Sequence, residues 1–225
     1  VITLKLGGAK VPFVWGLASA AEVEVNAVLV VATTDVFKDS LDRIRDAVAA
    51  GLLAPLEKLG PARVRVAVIG YGQTTIGQKK LGTVALAKAA LAKLEAEEAT
   101  TEVALVKAVT DAVALAAATK PRAAGTLQRP MVIILSDGDG IDSDTRPKIT
   151  ELGALAQKKG VRIHALGYSP IKARRSLLTL GELTKQSGGT FRWIQEMEGW
   201  QIALEQLVDQ ICLLYTSDAA DERSS

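Results

Sequence analysis

The order of hydrophobic runs along this chain predicts an alternation of strands and helices. Ala27-Val28-Leu29-Val30-Val31-Ala32 and Met131-Val132-Ile133-Ile134-Leu135 are apolar without alternation, as in strands buried on both faces of a parallel sheet. Residues 1–6 and 22–26 alternate polar and apolar positions, and 63–70 places Val64, Val66 and Val68 on one face with Ala67 and Ile69 on the other; all three read as strands. Shorter strands are predicted at 74–80, 161–167 and 190–194, with Gly70-Tyr71-Gly72-Gln73 as a turn and 121–128 as a loop. Between them the spacing turns helical. Leu41, Ile44, Val48 and Leu52 recur at helical intervals behind Asp39 or Ser40 as the cap, with Gly51 and Pro55 weakening the second half and Gly60-Pro61 closing it. Further helices are predicted at 83–96, 102–120, 147–159, 174–187 and 199–211, with Pro147 in a first turn and Gly160 as a stop. The small, apolar stretch 11–21 fits neither period.

Strands alternating with helices imply an α/β, Rossmann-like three-layer sandwich: a mostly parallel central sheet of about six strands with helices on both faces. Right-handed crossovers then bring the strand-end turns to one rim, where open α/β sheets place their chemistry. The rim candidates are Thr33-Thr34-Asp35, Thr100-Thr101, Ser136-Asp137-Gly138 and Gly167-Tyr168. Residues 26–211 read as one domain, and 1–25 as N-terminal strands or the end of a preceding domain.

Residues 212–225 stand apart. Cys212-Leu213-Leu214-Tyr215-Thr216-Ser217-Asp218-Ala219-Ala220-Asp221-Glu222 resembles the translation of a transposon-end sequencing adapter, and Arg223-Ser224-Ser225 fits read-through beyond it. On that reading 212–225 is a non-native tail and the whole is a metagenomic fragment; the alternative is a genuine amphipathic extension. The lone cysteine goes with the tail. Setting aside its one base (Arg223) and three acids (Asp218, Asp221, Glu222) moves the net charge from +2 to +4.

Composition narrows the field a little. With 48% hydrophobic and 23% charged residues the protein has ordinary globular composition, and 4% aromatics leaves the core to Val, Leu, Ile and Ala. No run approaches the ~20 apolar residues of a membrane-spanning helix. The sequence opens with neither Met nor a signal pattern and reads as a piece cut from a longer protein. Lys79-Lys80, Lys158-Lys159 and Lys172 with Arg174-Arg175 are scattered pairs without interleaved aromatics, so no nucleic-acid surface is predicted. His164 sits mid-strand, far from any Ser or Cys partner, as a packed residue. Trp193 and Trp200 read as core or edge cover, or as an anchor if exposed.

The rim elements resemble, in order and spacing from Asn26 to Ile211, the von Willebrand factor A domain. The later blocks of that family are matched by Leu135-Ser136-Asp137-Gly138, by Gly160-Val161-Arg162-Ile163 with Gly167, and by Leu180 to Thr184 through Gly188-Gly189-Thr190-Phe191. The resemblance implies a metal-ion-dependent adhesion site, which holds Mg²⁺ or Mn²⁺ through a D-x-S-x-S strand end, a Thr and a later Asp, and completes the coordination with a partner's carboxylate. Here the D-x-S-x-S pattern falls on Ala32-Thr33-Thr34-Asp35-Val36. Three ligand types survive: Thr34, Thr101 and Asp137. The leading Asp is Ala32 and the second Ser is Val36. Mg²⁺ wants near-octahedral oxygen coordination and yields its waters reluctantly, so losing a carboxylate and a hydroxyl predicts a vestigial site. No cofactor is expected, with Mg²⁺ or Mn²⁺ held weakly at most. Asp35 and Asp139 are the nearby substitutes in sequence.

Each retained residue also has a purely structural reading. Thr101 can cap a helix beginning at Glu102, Thr34 can close its own turn, and Asp137 can accept backbone amides of its own turn. The resemblance implies a non-enzymatic protein–protein interaction or scaffold module that binds protein partners without metal. It would belong to a larger, bacterial, secreted or cell-envelope protein. The competing class is an Asp-based, metal-dependent phosphotransferase of haloacid-dehalogenase type, with Asp137 as nucleophile and Asp139 as general acid. That class needs a second acidic pair on another strand end, and Gly167-Tyr168-Ser169 supplies none. No glycine-rich phosphate cradle follows the first buried strand.

Overall fold

The computed structural model describes residues 4–6, 9–11, 23–97, 103–123, 126–170 and 175–213. Leu4–Leu6 (β1) and Ala9–Val11 (β2) pair antiparallel as a separate two-stranded sheet. The predicted N-terminal strand is therefore present in part, but its partner is the next short strand rather than the central sheet.

Val23–Ala32 (β3) is the middle of the main sheet, and all ten of its residues are buried. Val64–Tyr71 (β4) lies parallel on one side of it and Leu127–Ser136 (β6) on the other. Thr75–Gly77 (β5) runs antiparallel at one edge, while Arg162–Tyr168 (β7) and Phe191–Ile194 (β8) extend the sheet in parallel at the other. The order is β5-β4-β3-β6-β7-β8, six strands with only one antiparallel, as predicted.

Strand boundaries shift by a few residues, and two of the shifts bear on the rim. β6 begins at Leu127, inside the predicted loop, and carries Pro130 in register with Asn26. Proline is tolerated there because β7 joins β6 only from Met131. β4 runs on to Tyr71, which the pattern had placed in a turn.

Leu41–Val48 (α1), Ala54–Lys58 (α2), Val84–Ala92 (α3) and Gly199–Leu213 (α7) cover one face of the sheet. Leu105–Ala118 (α4), Arg146–Lys158 (α5) and Arg175–Ser187 (α6) cover the other. α1 passes into α2 through a π-helical turn, Ala49–Leu53. Gly51 sits in that turn for a packing reason: a Cβ on it would lie 2.8 Å from the Gln201 carbonyl oxygen of α7. The glycine that weakens the helix locally is what lets α7 approach. Phe37, Tyr168 and Trp200 stack near the top of this face, with ring centroids 5.9 to 6.2 Å apart, tying the turn after β3 to β7 and to the start of α7. α7 continues through Cys212 and Leu213, two residues past its predicted end, and residues 214–225 lie outside the described set.

Candidate functional site

β3 and β6 are adjacent and parallel, so their carboxyl ends open on the same rim and bring the turn at Thr34 beside the turn at Asp137. The Thr34 hydroxyl donates to Asp137 Oδ2 at 2.9 Å, and the Asp139 amide donates to Asp137 Oδ1 at 3.1 Å. Both carboxylate oxygens thus have partners within the rim. The structural reading of Asp137 as an acceptor for its own turn holds. That of Thr34 does not: its hydroxyl crosses 103 residues of sequence to Asp137 and makes no cap bond to the 3-10 turn that follows it, Asp35–Phe37.

Thr101 lies outside the described residues. The helix predicted at 102–120 begins at Leu105, with Ala104 in the capping position. Val36 is 39% exposed and carries no side-chain oxygen, and Asp35 is exposed in the same turn.

The residue that sequence reasoning missed is Tyr71. Parallel pairing places Tyr71, Ala32 and Ser136 side by side on one face of three neighbouring strands, since Ala32 pairs with Tyr71 and Val31 with Leu135. The Tyr71 hydroxyl donates to Ser136 Oγ at 2.7 Å, and Ser136 Oγ also accepts from the Gly138 amide at 2.9 Å. Two strand spacings are about 9.6 Å, the span that a phenol side chain plus one hydrogen bond covers. The ring therefore passes across β3 over Ala32, which has only a methyl to present. Tyr71, Ala32 and Ser136 are all wholly buried. The signal was available: Arg65, Ala67, Ile69 and Tyr71 are one face of a strand at period two. The Gly-Tyr-Gly string had concealed the last of them as a turn.

The electrostatics follow from burial. The Asp137 carboxyl is pushed above the ordinary carboxylate range, first by desolvation and then by the charge of Asp139; the hydrogen bonds from the Asp139 amide and Thr34 pull the other way. The Tyr71 phenol is held well above its usual value, first by burial and then by the charge of Asp137, with its bond to Ser136 acting in the opposite direction. Gly138 closes the turn with φ of +86°, and a Cβ there would meet Ser176 Oγ at 2.5 Å, so the turn requires glycine twice over. Among the described residues, no group of three or more His, Cys, Asp or Glu side chains is placed to hold a metal ion. Asp139 is the one described acid whose charge registers on Asp137.

The other residues singled out by the sequence lie apart from this rim. His164 is buried mid-strand, with Nδ1 accepting from the Thr190 amide at 3.2 Å. Trp200 is core, whereas Trp193 is 37% exposed at the β8 edge and donates its indole N–H to the Ser169 carbonyl.

Solved structures share this fold at low sequence identity. The von Willebrand factor domain of the type V pili tip protein Mfa5 from Porphyromonas gingivalis superposes with a TM-score of 0.64 at 11% identity, over 85% of this chain and 96% of that one. The pilus adhesin SpaC from Lactobacillus rhamnosus GG gives 0.66 at 17%, over 84% of this chain and 30% of that one. Proximal thread matrix protein 1 from the mussel byssus, solved with a zinc-occupied MIDAS motif, gives 0.63 at 17%, over 85% and 46%. No curated protein matches the chain in sequence. The family profile of the von Willebrand factor type A domain matches residues 26–210, from within β3 to the last turns of α7, and the chain belongs to that family.

Proposed function

We propose that this domain is a protein-interaction or scaffold module of a larger secreted or cell-envelope protein, that it is not an enzyme, and that it engages its partner without a bridging metal. The observation that carries the metal-independent reading is Tyr71. In the family pattern a carboxylate stands where Ala32 stands, and here the Tyr71 phenol lies across that position and closes on Ser136. The residues present do not fit Mg²⁺ or Mn²⁺. The side chains of Ala32 and Val36 offer no oxygen, Asp137 is already bonded on both oxygens, and Asp35, the acid nearest the lost position in sequence, is exposed in its turn. The same arrangement argues against a phosphotransferase: beyond Asp137 and Asp139 that class needs a second acidic pair on another strand end, and no group of three or more such side chains gathers among the described residues. Support for an interaction role comes from family membership and from neighbours named as a pilus adhesin, a pilus tip protein and a byssus matrix protein. Thr34, Thr101 and Asp137 are then remnants: Thr34 and Asp137 latch two turns to each other instead of holding an ion.

Isothermal calorimetry with Mg²⁺ and Mn²⁺ on the parent protein and on Asp137→Ala tests this. Heats indistinguishable from dilution in both proteins are expected. Saturable binding by the parent that Asp137→Ala abolishes would defeat the metal-independent reading.

A further inference from the structure

The parallel sheet gathers cations that the sequence scatters. β3, β4, β6 and β7 all start on the rim opposite Asp137, and the helices that return the chain to them end there. Lys120 follows α4, Lys158 and Lys159 close α5, Arg129 lies near the start of β6 and Arg162 opens β7. Contacts join them into one surface. Arg65 and Arg122 both approach Glu24, at 2.5 and 3.4 Å, and Arg65 donates to the Lys120 carbonyl at 2.6 Å. Glu24 is in register with Gln128, and Gln128, Arg129, Gly160 and Arg162 line one cavity of about 410 Å³.

The acid at the centre of this cluster is turned inward: Glu24 is 1% exposed, while Lys120, Arg122, Lys158, Lys159 and Arg162 are exposed. Asp209 on α7 is an exposed acid on the same side. At the opposite rim Asp35, Asp39, Asp142 and Asp144 are exposed or nearly so. The cations Lys38, Arg43 and Lys148 are interspersed with those acids, so the opposite rim lacks the cationic excess of this one.

Apolar groups are mixed into the basic rim. Leu127 is 50% exposed beside Gln128 and Arg129, and Leu127, Pro130, Met131 and Ile211 form the apolar part of the cavity wall. Cations surrounding an exposed leucine, with further apolar groups in the cavity wall beneath it, match a surface that is anionic outside and apolar beneath. A nucleic acid would call for stacking aromatics, and no aromatic side chain lines the cavity. The acidic rim of a second copy would leave Leu127 facing charge.

We propose that the basic rim docks on an anionic phospholipid bilayer, with Lys120, Arg122, Lys158, Lys159 and Arg162 over the headgroups and Leu127 toward the acyl boundary. Each basic residue near such a surface multiplies partitioning by about fivefold, and the effect is screened by salt.

Co-sedimentation of the full chain with vesicles tests the proposal. Phosphatidylcholine mixed with phosphatidylserine is expected to carry the protein down at low salt, and phosphatidylcholine alone is not. Lys158→Gln/Lys159→Gln/Arg162→Gln should reduce partitioning on the order of a hundredfold. Lys38→Gln/Arg43→Gln/Lys148→Gln, the same charge loss on the opposite rim, should leave it within about twofold. Leu127→Asn should weaken binding several-fold without changing its salt dependence. Circular-dichroism melts check that each variant is folded. No binding to the serine-containing vesicles, or equal loss in both triple variants, would overturn the proposal. Tighter retention on single-stranded RNA than on vesicles would reassign the rim to nucleic acid. Self-association without vesicles that the first triple variant abolishes would assign it to a second copy.

Discussion

Restoring the missing family carboxylate by Ala32→Asp is the sharpest test of how the site is built. Position 32 is wholly buried, and the Tyr71 phenol lies across it to reach Ser136. The new side chain adds three heavy atoms to filled space, an overpacking cost of about 1–3 kcal/mol. It also buries an anion with no arranged partner, at least about 2 kcal/mol more, in the neighbourhood of a carboxyl whose ionisation burial already disfavours. The sum is roughly 4 kcal/mol. At about 2–4 °C per kcal/mol for a domain of this size, the melting temperature should fall by roughly 10 °C. Urea unfolding, read as a shift in midpoint at constant slope, gives the free energy directly. Adding Mg²⁺ should not restore stability while Tyr71 remains. Combining Ala32→Asp and Val36→Ser with Tyr71→Ala vacates the space, and a Mg²⁺-dependent rise in melting temperature is then expected by mass action. Ala32→Asp melting within about 2 °C of the parent, or rescued by Mg²⁺ with Tyr71 in place, would refute the claim that the phenol occupies the ligand position.

Two further outcomes concern the rest of the fold. Burial, and then the charge of Arg162, lowers the His164 pKa from 6.5 to about 4. The folded state therefore binds fewer protons than the unfolded state between those values. Stability is fully present above pH 6.5 and is lost as pH falls toward 4, and His164→Gln should flatten that limb in urea unfolding measured across the same window. Glu24 is buried against Arg65, whose side chain is 16% exposed, and against the more open Arg122. Glu24→Ala should cost about 3 kcal/mol because it leaves the Arg65 charge, held otherwise only by the neutral acceptors Asn26 Oδ1 and the Lys120 carbonyl, without a buried counter-ion; a loss below about 1 kcal/mol by thermal melting would show that the pair is solvated.

Much of this architecture is legible in the amino-acid order itself. Unbroken apolar runs such as 27–32 and 131–135 fit strands covered on both sides, so a parallel sheet between helix layers follows from pattern alone, and with it the rim that carries Thr34 and Asp137. Local patterns give element type because the burial of an apolar face obeys the period of its own backbone. They do not report on what a side chain meets across the sheet. Glu24 and Asn26 alternate with valines as if half exposed, yet both are buried, because Arg65 arrives from β4 to cover them. Tyr71 lies in a string that reads as a turn, and only the register of β4 against β3 and β6 carries its hydroxyl to Ser136. Lys158-Lys159, Arg162 and Arg122 are isolated in sequence and share a surface only because parallel strands begin together. Pairing between distant segments decided the occupancy of the site and the polarity of the surface, since both depend on distances that span many tens of residues and leave no local periodic trace.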